Sequence, residues 1–394
     1  MAQADVFFIG TARTAIGSFG GALKDVPLGD LATAAVKGAL AHAGIDGQHV
    51  GHVVMGNVIP TEPRDAYLSR VAAMGAGIPK ETPAFNVNRL CGSGLQAIVS
   101  AAQGIMLGDF SVAVAGGAES MSRGPYIMPG MRWGSRLGDS QAVDYMNGIL
   151  HDPWKKMHMG ITAENIAERY DVSREMQDQL ALQSQLRAAR AVAEGRFKTQ
   201  IVPVEVQVKR RTVLFDTDEN VRPDIDIEQL ARMQPIFQKG GTVTAGNASS
   251  LNDGAAALLL ADANAIKQHS LQPIARLVAY AHAGVEPDYM GIGPVPATRM
   301  ALKRAGLSIQ DIDVIESNEA FAAQACAVAQ QLEFDSAKVN PNGSGISLGH
   351  PVGATGAIIT IKAIHELHRI GGRYALVTMC IGGGQGIAAI IERV

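Results

Sequence analysis

Short apolar runs alternate with amphipathic stretches along most of the chain, and the alternation recurs. His52-Val53-Val54-Met55 reads as one strand and Val314-Ile315-Glu316 as another. Each follows a helical stretch with a matched ending: Ala39-Leu40 through Ala43-Gly44-Ile45 reads ALxxAGI, and Ala301-Leu302 through Ala305-Gly306-Leu307 reads ALxxAGL. A second pair follows in the same order. Phe85-Asn86-Val87-Asn88 precedes a Gly-containing turn and a helix through Gly94-Leu95-Gln96-Ala97-Ile98. Val339-Asn340-Pro341-Asn342 precedes a longer Gly-rich turn and a helix from Gly356 through Ile364. A third pair closes each copy, Ser111 through Gly117 against Ala375 through Gly382. Three matches in register argue for an internal duplication. Strands alternating with helices predict an α/β protein of two βαβ-type halves, its parallel sheets covered by helices.

From about Met121 to Ser250 the texture changes. Glu164 to Glu194, rich in Ala, Gln, Arg and Glu, predicts helix, and Val202 to Phe215 a polar strand pair. Gly124-Pro125 and Met128-Pro129-Gly130 punctuate the rest. The stretch is too long for an irregular loop inside a compact domain, so it is expected to form a lobe of its own. The resulting division is 1–120 with 251–270 as one half, 121–250 as the insertion, and 271–394 as the other half.

Composition supports that picture. A chain of 394 residues needs two or three domain-sized units. Hydrophobic residues at 47% and charged residues at 18% fit a globular protein. Forty-four glycines with 5% aromatics favour tightly turned α/β architecture over a β-sandwich. A net charge of −3 offers no surface for nucleic acid, and the short clusters Lys155-Lys156 and Lys209-Arg210-Arg211 read as solvated loop or strand ends. Three cysteines without CxxC spacing predict neither a disulfide framework nor a zinc site, so no metal is expected. The same count suits a reducing compartment. The N-terminus lacks a signal-peptide pattern, and no apolar run is expected to reach membrane-span length. A cytoplasmic protein with no membrane partner is the expectation.

Candidate chemistry falls at strand-to-helix turns, where α/β sheets collect ligands. Cys91, in Asn88-Arg89-Leu90-Cys91-Gly92-Ser93-Gly94, lies just before a helix, a place expected to lower a thiol's pKa. A buried Cys acting as a small hydrophobe is the commoner fate; the flanking Gly-Ser-Gly weighs against it. His350 occupies the corresponding turn of the second copy, in Gly349-His350-Pro351-Val352-Gly353. A lone His in a Gly-rich loop is more often a structural hydrogen-bond former, but a twofold pairing of the copies brings it to face Cys91, and Cys with His is the minimum for an activated thiol. Cys380 ends the last strand of the pattern before Ile381-Gly382-Gly383-Gly384, where a second thiol and a free amide can serve acid–base and oxyanion roles; the plainer reading is a buried strand residue. Asn318-Glu319-Ala320-Phe321 marks another turn, with Asn318 also readable as a helix N-cap. Cys326, inside an Ala-rich helix, reads as core.

Taken together, these four blocks resemble the thiolase family, and the likeness runs from Arg13-Thr14-Ala15-Ile16-Gly17 to the C-terminus. It is nearest to bacterial biosynthetic β-ketothiolases of the broader-range type that supplies polyhydroxyalkanoate precursors, on Thr61 through Asp65, Asn340 through Ser347 and Ile381 through Gly386. The resemblance implies a thiolase fold, a layered αβαβα core with an inserted loop domain. It implies Cys91 as acyl carrier, His350 as acceptor of its proton, and Cys380 as the acid–base at the substrate α-carbon. Asn318 would hold a water of one oxyanion hole, and the Cys91 and Gly382 amides would form the other. Coenzyme A would contact His158, Met159, Arg222, Ser249 and Phe321. No permanent cofactor is implied; coenzyme A is the carrier of acetyl-CoA, short acyl-CoA and 3-ketoacyl-CoA, and the chain would form a homotetramer, a dimer of dimers.

Two segments depart from the common biosynthetic pattern. Asn342-Gly343-Ser344-Gly345-Ile346-Ser347-Leu348-Gly349-His350-Pro351 stands where that form reads NGGAIALGHP, and Ser250 where Gly is usual. Both border the substrate pockets and point away from strict acetoacetyl-CoA specificity. The alternatives are a degradative 3-ketoacyl-CoA thiolase and a non-catalytic CoA or acyl carrier on the same scaffold. A decarboxylating ketosynthase is disfavoured, because it needs a second histidine near Asn318.

Overall fold

The computed structural model describes residues 4–394. The first half contains β1 (Phe7–Arg13), α1 (Leu28–Ala43), β2 (His52–Gly56), α2 (Leu68–Gly75), β3 (Ala84–Val87), α3 (Ser93–Leu107) and β4 (Val112–Ser120). The insertion adds α4 (Met159–Arg169), α5 (Arg174–Ala193) and a hairpin of β5 (Val204–Val208) and β6 (Arg211–Phe215). β7 (Asn252–Ala261) returns to the first half. The second half has β8 (Ala275–Gly284), α6 (Pro294–Ala305), β9 (Val314–Ser317), α7 (Ala322–Leu332), α8 (Val352–Ile370), β10 (Tyr374–Ile381) and β11 (Gln385–Arg393).

The duplication is visible strand by strand. The first half orders its strands β3-β2-β4-β7-β1 and the second β9-β10-β11-β8. β2 runs parallel to β3 and β4, as β9 does to β10. β7 is antiparallel to β4 and β1, as β11 is to β10 and β8. Sheets expected to be parallel are therefore mixed: each half closes on a strand that runs back along its neighbour. In the second half the counterpart of β3 shrinks to one bridge, Ile315 with Val339. Pro341 has no N–H to offer a ladder, and Asn340 turns left-handed (φ 43°). The Asn340 side chain replaces the missing pairing, accepting from Ser317 N at 3.0 Å and donating to Ser317 O at 2.8 Å.

Among the described residues the two strand sets pair through β1 and β8, at Phe7–Arg276 and Phe8–Ala275. Between them lie α3 and α8, which contact each other; α8 packs on the sheets of both halves, and α3 packs on the first and bonds to β8 of the second through Gln96–His282 and Gln103–Tyr280. α1 covers the outer face of β1 and β7, and α6 that of β8 and β11, giving five layers, αβαβα. The repeated ALxxAG motif proves to be a helix ending. Gly44 (φ 65°) and Gly306 (φ 68°) take the left-handed C-cap that only glycine adopts without a Cβ penalty.

One membrane expectation needs correction. Leu90–Leu107 is 18 residues with mean hydropathy 1.4, long and apolar enough to cross a bilayer by length and composition. It is instead the central α3 region, 67% buried between the two sheets. A helix packed on both sides is hydrophobic all round for that reason.

The insertion has no core to itself. Val204 and Val206 pack with α1 residues, and Ala188, Ala191 and Phe197 join the central cluster. Met159, Ala163 and Ile166 pack against Phe321, Cys326 and Cys380. A fully buried ion pair, Arg13 Nη1 to Asp218 Oδ1 at 2.8 Å, ties the insertion to the end of β1.

Candidate active site

The nucleophile turn is built from its own side chains. Asn88 Oδ1 accepts from Leu90 N at 2.9 Å, Ser93 Oγ accepts from Arg89 N at 2.9 Å, and the same hydroxyl donates to Leu90 O at 2.7 Å. These bonds hold Leu90 at φ 46°, a left-handed conformation that costs a non-glycine residue about 1–2 kcal/mol. The backbone amides of Gly382 and of Cys91 itself favour the thiolate. Sequence reasoning expected a depressed thiol pKa here. Burial wins instead and pushes the thiol up to about 11, with Glu119 adding to the rise. The resting group is a thiol, and it needs a base at the moment of attack.

His350, which lines one cavity with Cys91, is the candidate. Burial lowers its pKa to about 4, so the ring is neutral at physiological pH. Its Nδ1 lies 2.7 Å from Thr355 Oγ1, whose proton is donated to Pro351 O at 2.9 Å. The hydroxyl must then accept, which puts the ring proton on Nδ1 and leaves Nε2 unprotonated, an acceptor. Asn318 Nδ2 approaches Nε2 at 3.3 Å, and Asn318 Oδ1 has no partner. Asn318 is not a helix cap; that position belongs to Phe321.

The two turns meet because two helices cross backbone to backbone. A Cβ on Gly94 would lie 2.8 Å from Ala357 N, and one on Gly356 would lie 2.3 Å from Leu95 N. Any side chain at either position would push the N-termini of α3 and α8 apart.

Cys91, His350 and Cys380 line one cavity of about 490 Å³. Cys380 is 1% exposed, and burial, with Cys91 nearby, pushes its thiol far up. Gly382, His158, Met159, Arg222, Ser249 and Phe321 line the same cavity. Asn318 does not, although its amide nitrogen meets the His350 ring. Cys326 is buried in α7, as expected, with its thiol pushed to about 12. His158 caps α4 by accepting from Gly160 N at 3.0 Å and stacks on Phe237 with ring centroids 4.6 Å apart. Arg222 makes no ion pair among the described residues.

Several lining residues escaped the sequence reading, among them Met121, Met146, Leu150, Phe237 and Met290. All but Met290 come from the insertion, whose irregular segments carry no periodicity to mark them. Ser250 lines the cavity too, and its hydroxyl donates to Asn252 Oδ1 at 3.0 Å. No group of His, Cys, Asp or Glu able to hold a metal occurs among the described residues.

Residues 6–264 match the thiolase N-terminal domain and residues 271–393 the thiolase C-terminal domain. The chain is 62% identical to the β-ketothiolase BktB of Cupriavidus necator, over 99% of each chain. It is 48% identical to an acetyl-CoA acetyltransferase of Chromobacterium violaceum, over 99% of this chain and all of that one. The crystal structure of human mitochondrial 3-ketoacyl-CoA thiolase superposes with a TM-score of 0.98 at 46% identity, covering 99% of both chains. A complex of that human enzyme with CoA superposes at 0.96, again at 46% identity, over 99% of this chain and 98% of that one. With both domains matched and the five-layer core shared from end to end, the chain belongs to the thiolase family of acyl-CoA C-acyltransferases.

Proposed function

We propose that the chain catalyses the reversible Claisen reaction between acetyl-CoA and a short acyl-CoA, through an acyl group carried on Cys91. One observation carries the reading. Cys91 shares one cavity with the neutral imidazole of His350 and the protonated thiol of Cys380, and Gly382 stands in the same wall.

In the cleaving direction His350 Nε2 takes the Cys91 proton as the sulfur attacks the ketone carbon. The C2–C3 bond breaks, and Cys380 delivers its proton to C2, releasing acetyl-CoA. Its raised pKa suits that task, since the thiol rests protonated. Free CoA then gives its thiol proton to the Cys380 thiolate and attacks the acyl-Cys91 thioester; the Cys91 sulfur leaves, recovers its proton from His350, and acyl-CoA is released. The Cys91 and Gly382 amides steady the oxyanion at one carbonyl. His350 Nε2, with a water on Asn318, would steady that at the other; the unpartnered Asn318 Oδ1 fits such a water.

Coenzyme A would lie along His158, Met159, Ser249 and Phe321, with Arg222 free to meet an anionic group. Apolar Met121, Met146, Leu150 and Leu251 leave room for acyl groups longer than acetyl. The division into halves 1–120 with 251–270 and 271–394, around the loop segment 121–250, follows from the same reading. So does a cytoplasmic dimer of dimers. β3 forms a sheet edge with Phe85 exposed, and Trp133 and Leu137 are 89% and 96% exposed.

The test is the absorbance of the acetoacetyl-CoA–Mg²⁺ enolate on adding CoA. Decay supports a thiolase, and a flat trace favours a carrier. Comparing kcat/KM for acetoacetyl-, 3-ketovaleryl- and 3-ketohexanoyl-CoA then fixes the acyl range.

A further inference from the structure

Every helix start leaves backbone N–H groups without helical partners. The helix behind His350 has no side-chain cap of its own, and Pro351 stands at its N-cap. One N–H group of its first turn and that of the residue before its cap are received by the other half of the molecule. His350 N donates to Asn252 Oδ1 at 2.8 Å, and Gly353 N donates to Glu119 Oε2 at 2.9 Å. Glu119 ends β4 and Asn252 begins β7, neighbouring antiparallel strands paired through Glu119–Gly254. Both side chains are fully buried.

Each acceptor is itself held. Asn252 Nδ2 donates to Gly17 O at 3.0 Å, and its Oδ1 also receives the Ser250 hydroxyl from the cavity wall. Glu119 accepts from Asn57 Nδ2 at 2.8 Å, Ile59 N at 3.0 Å and Val58 N at 3.1 Å. Val58 and Ile59 belong to the apolar cluster against which Cys91 packs. One rigid edge of the first half thus grips the histidine turn at two points, and one of those grips also fixes a wall beside the nucleophile.

We propose that Asn252 and Glu119 are positioning residues that cap the His350 turn from across the duplication and so aim Nε2 at the Cys91 thiol. The proposal rests on His350 being the base in the reaction described above. Removing a cap lets the turn drift, and a shift of about 1 Å at a reacting group costs on the order of 10²-fold in rate. Substrate contacts lie elsewhere in the cavity, so KM moves little.

Three variants, Asn252→Ala, Glu119→Gln and Ser250→Ala, test this by acetoacetyl-CoA thiolysis and by the rate of Cys91 alkylation with iodoacetamide. In Asn252→Ala and Glu119→Gln, kcat is expected to fall about 10- to 100-fold with KM within about threefold. Alkylation of Cys91 slows about tenfold in parallel, because the base no longer faces the thiol. A variant that merely loosens the fold would expose Cys91 and be alkylated faster. Ser250→Ala, at the cavity wall and tolerant of folding, removes one donor from Asn252 and lowers kcat about two- to fivefold, the effect of one modest hydrogen bond. Values of kcat within twofold in both capping variants, or losses with unchanged or faster alkylation, overturn the proposal. Should neither capping variant fold, an unchanged kcat in Ser250→Ala overturns it. Absence of thiolysis by the parent chain would instead overturn the functional reading on which the proposal stands.

Discussion

The two duplicated turns solve the same problem in opposite ways. The Cys91 turn is knitted by Asn88 and Ser93, residues within three positions of the nucleophile. The His350 turn borrows its acceptors, Asn252 and Glu119, from the other half of the chain. A nucleophile must present one sulfur to a carbonyl and to two amides, and a local scaffold can do that. A base must be aimed at a partner on another element, and its scaffold is best anchored to that partner's own framework.

The sharpest way to break the comparison is to remove the nucleophile. Cys91→Ala should lower thiolysis by about 10⁴-fold or more, and mass spectrometry should find no acyl adduct. Stoichiometric acylation of that variant would falsify the assignment.

Next come the two proton carriers, each expected to cost about 10²- to 10⁴-fold in kcat. They should separate in a single-turnover labelling experiment. Cys380→Ala still takes an acetyl group from acetyl-CoA onto Cys91, because that half-reaction needs only the histidine as base. His350→Ala does not. Equal labelling in both would collapse the distinction between the roles.

Ser93→Ala addresses the self-capped turn. It strips a buried hydroxyl that both accepts and donates, which costs about 1–3 kcal/mol. A lower thermal midpoint with a similar loss in kcat is expected, and an unchanged midpoint would show that Leu90 is held by packing alone.

The smallest effect concerns pH. An exposed histidine base would lose activity as pH falls through about 6.5. Burial depresses the His350 pKa to about 4, so the neutral form persists on the acid side of that value. The kcat/KM profile should stay flat from pH 7.5 to about 5.5, within the range where circular dichroism shows an intact fold. A half-loss near 6.5 would mean that the histidine is more hydrated than its surroundings imply.

The residues that meet in the cavity, Cys91, His350 and Cys380, were legible in the chain. The Asn88–Gly94 block contains its own caps, and the three repeated segments became β2 and β9, α3 and α8, and β4 and β10. The returning strands β7 and β11 were not foreseen as antiparallel, because a strand buried on both faces reads the same in either direction. The depressed thiol pKa was wrong because a helix N-terminus is visible in sequence and burial is not. Asn252 and Glu119 gave no signal at all. A capping side chain from a distant strand obeys no spacing rule. Ser250, noted only as a departure from the family pattern, acquires a reason once its bond to Asn252 is seen.

The glycine crossing of α3 and α8 also governs how the molecule comes to be. Gly94 and Gly356 are far apart along the chain, so their contact closes a very long loop, and long-range closures are slow and late. Until α8 docks, the apolar flank of α3 that it covers lies open, a surface that invites aggregation. In refolding from denaturant, helical signal should therefore return well before turnover, and the lag should measure the docking of one half on the other.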